Sequence, residues 1–541
     1  MYLKRLFIIL FSAYCCFSSF AQETPISQVW VSDQGDGTYK NPVLYADYSD
    51  PDVVRVGDDF YMTASSFTAV PGLPILHSKD LVNWELINHA VQEIVPTDVF
   101  NVPQHGNGVW APSIRFHNHE FYIYWGDPDF GIYMVKTKDP YGEWEKPILV
   151  MEGKGLIDSC PFWDEDGNAY LVHAYAGSRA SVKSILAINK MNSEGTKVLD
   201  NGVVVFDGHD AHPTVEGPKF YNRNGYYYIF APAGGVATGW QLILRSKNIY
   251  GPYEEKVVLE QGSTNINGPH QGAWIDSPKG DDWFLHFQDL DAYGRIVHLQ
   301  PVSWKNDWPV MGKDFDKNGV GEPVASFSKP VEGQKILTPT ESDEFNSDKL
   351  GLQWQWQANP SVTWYSLIKD RDFLRLFTVK NAEGDNNLWN QPNLLLQKFP
   401  APDFTATTKI KLIPEEAESG KRAGLIVFGL DYATLTLTQN NGSFFLNQTQ
   451  VLEAKKNNPE EINEEVKLNT NEVILKVEVS APDALCHFSY SLDGKKFTKI
   501  GKPFTAKPGQ WVGAKVGIFS VSENGIKYGG YTDVDYFRIT R

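Results

Sequence analysis

Three carboxylates that lie far apart in the chain, Asp50, Asp158 and Glu216, occupy matching places in a repeated pattern. Each precedes an aromatic mark by 11 or 12 residues: Asp50 before Tyr61, Asp158 before Tyr170, Glu216 before Tyr227. Two further copies place Trp110 ahead of Tyr122 and His270 ahead of Trp283. For a single Asp or Glu, a turn cap or a solvated loop is the simpler explanation. Acidic residues at three of five matching positions are harder to dismiss, because charged groups near the middle of a compact fold are costly to bury. Such a set suits cleavage of a glycosidic bond. One carboxylic acid protonates the leaving oxygen while a second carboxylate activates water or attacks the anomeric carbon. A third carboxylate nearby raises the acid's pKa by like-charge repulsion.

The element that must position these residues repeats five times. Each copy is a short β-like run, a polar turn and an aromatic strand. The first is Val53-Val54-Arg55-Val56, then Gly57-Asp58-Asp59, then Phe60-Tyr61. The fourth is Lys219-Phe220-Tyr221, then Asn222-Arg223-Asn224-Gly225, then Tyr226-Tyr227. The aromatic marks fall 61, 48, 57 and 56 residues apart, room for about four short strands each, which is one propeller blade. Helical periodicity is nearly absent between residues 40 and 320, and turn residues punctuate the chain every few positions. A β-sandwich of hairpins is the alternative; the even spacing favours an all-β, five-bladed β-propeller over residues 22–320. In a propeller the innermost strands start near the central axis. Asp50, Trp110, Asp158, Glu216 and His270 are therefore expected at one hub.

Composition narrows the partners. With 42 % hydrophobic and 21 % charged residues among 541, a buried core is easily built. A net charge of −17 repels phosphate backbones and anionic lipid, so neither nucleic acid nor membrane insertion is expected. Aromatics at 13 % fit both strand packing and sugar binding. The N-terminus reads as a cleavable signal peptide over residues 1–21. Lys4 and Arg5 precede an apolar run from Leu6 to Phe20, and Ser19-Phe20-Ala21 offers small residues at the cleavage positions. A lipoprotein anchored at Cys15 or Cys16 is the alternative, with bulky Tyr14 set against it. The expected location is periplasmic or secreted. The mature chain keeps Cys160 and Cys486, read as buried small hydrophobes rather than a disulfide framework.

Several motifs together resemble glycoside hydrolase family 43. They are Asn41-Pro42-Val43-Leu44 with Ser49-Asp50-Pro51-Asp52, His77-Ser78-Lys79-Asp80-Leu81-Val82-Asn83-Trp84, and Val109-Trp110-Ala111-Pro112-Ser113. Leu156-Ile157-Asp158-Ser159-Cys160-Pro161, Val215-Glu216-Gly217-Pro218, and Gly294-Arg295 before Leu299-Gln300-Pro301-Val302 complete the set. The resemblance spans roughly residues 40 to 305. It implies a five-bladed propeller and an inverting mechanism, with Asp50 as general base, Glu216 as general acid and Asp158 tuning and orienting the acid. It also implies substrate contacts from Trp110, His270 and Arg295, and a pocket wall at Phe67. Each has a plainer alternative: core packing for Trp110 and Phe67, a structural role for His270, an ion pair for Arg295. No cofactor is required. No metal ligand set is assigned, since no acidic loop of calcium-ligand spacing is visible; a structural calcium near His270 is the alternative. Asp127-Pro128-Asp129 also looks catalytic, but it follows an aromatic strand and reads as a turn or pocket-rim loop.

Residues 306 to 337, rich in Gly, Lys, Asp and Pro, read as a linker over the surface. Residues 338–541 alternate as strands do, for example Val473-Ile474-Leu475-Lys476-Val477-Glu478-Val479. With Asp343-Glu344-Phe345 and Trp354-Gln355-Trp356 they resemble the lectin-like, concanavalin-like β-sandwich that follows the propeller in many family members. A carbohydrate-binding module is one reading; a buttress that lends a loop to the active-site mouth is preferred. Trp511 is the candidate for that loop, with sandwich core as its alternative. A sandwich packed on a propeller closes a groove into a pocket, which favours exo-action. The expectation is therefore an α-L-arabinofuranosidase acting, as a monomer, on hemicellulose oligosaccharides of arabinoxylan or xyloglucan type. A β-D-xylosidase or a bifunctional enzyme stands close behind. A glycan-binding propeller without catalysis would fit a chain lacking one hub carboxylate. A retaining fructan-type enzyme would carry an Arg-Asp-Pro motif, which this sequence lacks.

Overall fold

The computed structural model describes residues 25–381, 383–415, 420–523 and 529–541. The expected signal peptide, with its alternative lipid attachment at Cys15 or Cys16, lies outside the described residues. Five four-stranded antiparallel sheets follow one another along the chain, each built in sequence order from the axis outward. Their innermost strands are Asp52–Val56, Trp110–His117, Leu156–Trp163, Lys219–Arg223 and His270–Asp276. The middle strands of the blades, such as Gly72–Ser78 and Glu120–Asp127, are buried along nearly their whole length. Packing on both faces explains why these segments read as apolar and aromatic runs rather than as alternation.

Five apolar clusters hold neighbouring blades together. Leu73, Ile75, Ile114 and Ile123 join the first to the second, and Tyr124, Met134, Leu171 and Met191 the second to the third. Val172 and Ile188 meet Phe220 and Ile229, and Tyr228 and Phe230 meet Phe284 and Met311. Ala273, Leu285 and Val297 close the ring against Val53, Phe60 and Met62. The repeated aromatics sit in or against these seams, Tyr61, Tyr122, Tyr170, Tyr227 and Trp283 among them. Below the hub, buried polar groups tie blades across the axis. Lys219 Nζ donates to Pro112 O and Ser113 Oγ, both at 2.8 Å. Arg115 donates to Asp52 Oδ2 at 2.6 Å and to Cys160 Sγ at 2.9 Å. The Arg115 guanidinium is paired with the Asp52 carboxylate, while the Lys219 ammonium is held by two neutral oxygens. Cys160 and Cys486 are both buried free thiols.

Ring closure uses the start of the chain. Thr38–Lys40 pairs antiparallel with Ser326–Ser328, and Leu44 bridges Val297. The expected surface linker is corrected here. Trp308–Met311 is the outer strand of the fifth blade, and buried Lys329 pairs with Asp33 and Asp80. Gly, Lys and Asp in this stretch serve tight turns and one buried ion cluster rather than a free run of chain.

The C-terminal part is a β-sandwich of an eight-stranded and a seven-stranded sheet. Phe404–Ile413 and Glu472–Ser480 alternate buried and half-buried residues, the period of a strand with one face on a core. The sandwich docks on the propeller through backbone bonds: Val70 and Trp356 exchange N–H and C=O, and Ala514 N donates to Ala292 O at 2.7 Å. Asn359 caps the contact by accepting from Ile94 N and donating to Ile94 O. Among the described residues, no helix is long and apolar enough to cross a membrane.

Candidate active site

Each innermost strand is entered through one residue in the left-handed region: Asp50 (φ 54°), Ala111 (36°), Asp158 (57°), Gly217 (56°) and Gln271 (33°). A non-glycine residue pays about 1–3 kcal/mol for this conformation, which persists where surrounding structure fixes it, often at a functional site. The shared geometry corrects the repeat alignment by one residue. Asp50 and Asp158 are equivalent to each other and to Ala111, Gly217 and Gln271. Glu216 stands one position earlier, where Trp110 and His270 also stand. The dipeptides Asp50-Pro51, Ala111-Pro112 and Gly217-Pro218 carry this register in the sequence.

The three carboxylates meet in one pocket of about 490 Å³ including its open mouth. Its lining also includes Phe67, Trp110, Ala111, Ile157, Val236, Gln271, Arg295 and Trp511. Asp50 is buried, and its Oδ2 accepts from Ser49 Oγ at 2.7 Å and Ser65 Oγ at 2.6 Å. Arg295 adds a third donor, its guanidinium 3.2 Å from Asp50 Oδ1. Asp158 is buried and accepts from Gly217 N at 2.8 Å. Burial, then the charges of Glu216 and Asp50, push its carboxyl well above the ordinary carboxylate range. Glu216 is the most open of the three, with its side chain 24 % exposed, and Oε1 lies 3.0 Å from His270 Nε2.

The walls are aromatic and come from both domains. Trp110 donates from Nε1 to Gly106 O, which fixes its ring edge-on to Phe67 at 6.2 Å and to Trp511 at 6.3 Å. Trp511 belongs to the sandwich, is 48 % exposed and adopts φ 65°. Its loop is latched to the propeller. Asp47 accepts from Arg295 N with one carboxylate oxygen (2.9 Å) and from Gly513 N with the other (3.0 Å). A Cβ on Gly513 would lie 2.8 Å from Gly294 N, so only glycine lets the two backbones approach.

Sequence reasoning thus located Asp50, Asp158, Glu216, Phe67, Trp110, Arg295 and Trp511 at the cavity. His270 is corrected: it is fully buried behind Glu216 and touches that carboxylate instead of lining the space open to a sugar. Asp127 and Asp129 stay outside the lining; Asp129 pairs with Arg179, whose guanidinium stands 5.9 Å from the Trp110 ring at the rim. Gln271, Val236 and Ile157 were missed. Among the described residues, no group of three or more His, Cys, Asp or Glu side chains is arranged to hold a metal ion.

Residues 39–309 match the family described as glycosyl hydrolases family 43, and residues 342–540 match the β-xylosidase C-terminal concanavalin A-like domain. A putative β-xylosidase of Xylanibacter ruminicola is 40 % identical over 496 residues, covering 90 % of this chain and 87 % of its own length. A β-xylosidase of Formosa agariphila is 33 % identical, covering 93 % and 90 %. A non-reducing end α-L-arabinofuranosidase of Bacteroides ovatus is 32 % identical, covering 75 % and 77 %. Among solved structures, a family-43 protein of Bacillus licheniformis superposes with a TM-score of 0.79 at 26 % identity, covering 93 % of this chain and 99 % of that one.

Proposed function

Since the chain belongs to glycoside hydrolase family 43, we propose that it is an exo-acting, inverting β-D-xylosidase. Its substrate in this reading is a hemicellulose-derived oligosaccharide with xylose at the non-reducing end. The observation that carries it is the convergence of Asp50, Asp158 and Glu216, from three blades, on one pocket walled by Phe67, Trp110 and Trp511. Glu216, the most open carboxyl, delivers a proton to the glycosidic oxygen. Asp50, oriented by Ser49, Ser65 and Arg295, takes a proton from the water that attacks the opposite face of the sugar. Asp158, whose carboxyl is raised by burial and then by the charges of Glu216 and Asp50, accepts from the backbone N of Gly217 and so holds the segment that carries Glu216. The reaction needs no cofactor. A pocket with a sandwich-borne wall accommodates one terminal sugar, which supports exo-cleavage.

The names of the relatives move xylosidase ahead of the arabinofuranosidase that the sequence reading put first. The Bacteroides ovatus relative keeps α-L-arabinofuranosidase as the second reading. A substrate of this kind and the leader expected over residues 1–21 support action in the periplasm or outside the cell. The test compares release of 4-nitrophenol from the β-D-xylopyranoside and the α-L-arabinofuranoside by the wild type and by Glu216→Gln. The xyloside should be hydrolysed faster, and Glu216→Gln should lose roughly 10²–10⁴-fold on it. NMR of a xylo-oligosaccharide digest should show α-xylose first. Preference for the arabinofuranoside selects the second reading, β-xylose as first product overturns inversion, and an active Glu216→Gln overturns the site.

A further inference from the structure

Gln271 stands at the fifth of the five left-handed positions, the place that carries a carboxylate in the first and third blades. It lines the same pocket as the three carboxylates and is only 5 % exposed. Its Oε1 has no hydrogen-bond partner in the protein. Leaving a buried acceptor unpaired is costly, and native folds keep few such groups. The side chain is also given its space deliberately. A Cβ on Gly217 would lie 2.6 Å from Gln271 Cγ, so the glycine that follows Glu216 makes room for this amide. Gln271 therefore abuts the backbone that holds Glu216 and donates to Asp158.

We propose that Gln271 is a substrate-binding residue whose side-chain amide, unpaired in the protein and facing the pocket, hydrogen-bonds one sugar hydroxyl, so that it reads the hydroxyl pattern of the bound pentose. The inference rests on the proposed glycosidase function and adds a specificity-determining contact to it. A carboxylate at this position would bring a fourth negative charge beside Asp50, Asp158 and Glu216; a neutral amide accepts the same hydroxyl without that repulsion. A site built to bond a hydroxyl rejects an analogue lacking it, because the buried acceptor is then left unpaired. Methionine has nearly the length of glutamine and no amide, so Gln271→Met removes the acceptor while filling its volume.

The experiment measures kcat/KM of the wild type and Gln271→Met on 4-nitrophenyl β-D-xylopyranoside and its three monodeoxy analogues, with thermal unfolding as the fold control. The expected result is a loss of about tenfold on the parent glycoside that disappears on one monodeoxy analogue, where neither protein has a hydroxyl to bond. An equal loss on all four glycosides, or no loss on any, overturns the assignment and leaves Gln271 a structural residue. A wild type inactive on both the xyloside and the arabinofuranoside would instead overturn the functional reading. If Gln271→Met does not fold, Gln271→Asn, which withdraws the amide by one methylene, is measured in its place with the same two outcomes.

Discussion

Replacing Trp511 by alanine tests whether the sandwich supplies part of the sugar site. A Trp side chain offers about 150–250 Å² of surface. With Trp511 48 % exposed, about 100 Å² remains for a substrate to cover. A sugar that covers half to all of it gains about 1.2–2.5 kcal/mol at about 25 cal/mol per Å². At about 1.4 kcal/mol per factor of ten, Trp511→Ala should lower kcat/KM roughly 7- to 60-fold. Ground state and transition state use the ring alike, so most of the loss should appear in KM. The fold should change little, because the ring is half open to solvent and its loop is held by the Asp47–Gly513 bond rather than by the indole. Steady-state kinetics on 4-nitrophenyl β-D-xylopyranoside and a thermal melt check both halves. An unchanged kcat/KM in a folded protein would refute the bipartite pocket, and a collapsed melt would show that Trp511 acts in packing.

Two further substitutions read the buried carboxyls. Asp158 carries a carboxyl raised by burial and by its acidic neighbours, so its folded form resists ionisation while the unfolded chain ionises near 3.8. That difference costs stability as pH rises above the unfolded value. Asp158→Asn should therefore melt higher than the wild type at pH 7 and lose at least about 100-fold in activity; a lower melt would refute the linkage. Asp127 is buried at the end of its strand, and burial raises it from 3.8 to about 7. Stability should fall between those two pH values as the unfolded state sheds a proton that the folded state keeps, by a few kcal/mol at about 1.4 kcal/mol per unit. Asp127→Asn, which retains the acceptor for Asp129 N, should raise the melting temperature at pH 8 and leave it unchanged near pH 3; equal gains at both would refute the assignment.

The propeller was legible because its period is local. Every blade repeats the same turn and aromatic strand, and marks such as Tyr61 and Trp283 recur at the seams between blades. The carboxylates were legible because symmetry carries distant residues to one axis. The one-residue offset between Asp50 and Glu216 was missed because residue type was weighed above the proline register at 51, 112 and 218, which marks the left-handed position directly. His270 could not be separated from the lining by sequence, since its contact with Glu216 joins two blades and is not a local property of the chain. Gln271 carries no charge to draw attention. The buried ion cluster of Lys329 with Asp33 and Asp80 joins segments nearly 300 residues apart, and nothing local distinguishes such a lysine from a solvated one.

Ring closure also sets when the site can exist during synthesis. Thr38–Lys40 and Leu44 leave the ribosome before any blade, yet their partners Ser326–Ser328 and Val297 are made after all five inner strands. Arg295, which orients Asp50, follows it by 245 residues. A nascent chain with four blades therefore lacks both His270 beside Glu216 and Arg295 beside Asp50, and the early segment has no strand to pair with until the last blade emerges. The assembled carboxylate set is thus a property of the closed ring, and its Trp511 wall arrives later still, with the sandwich.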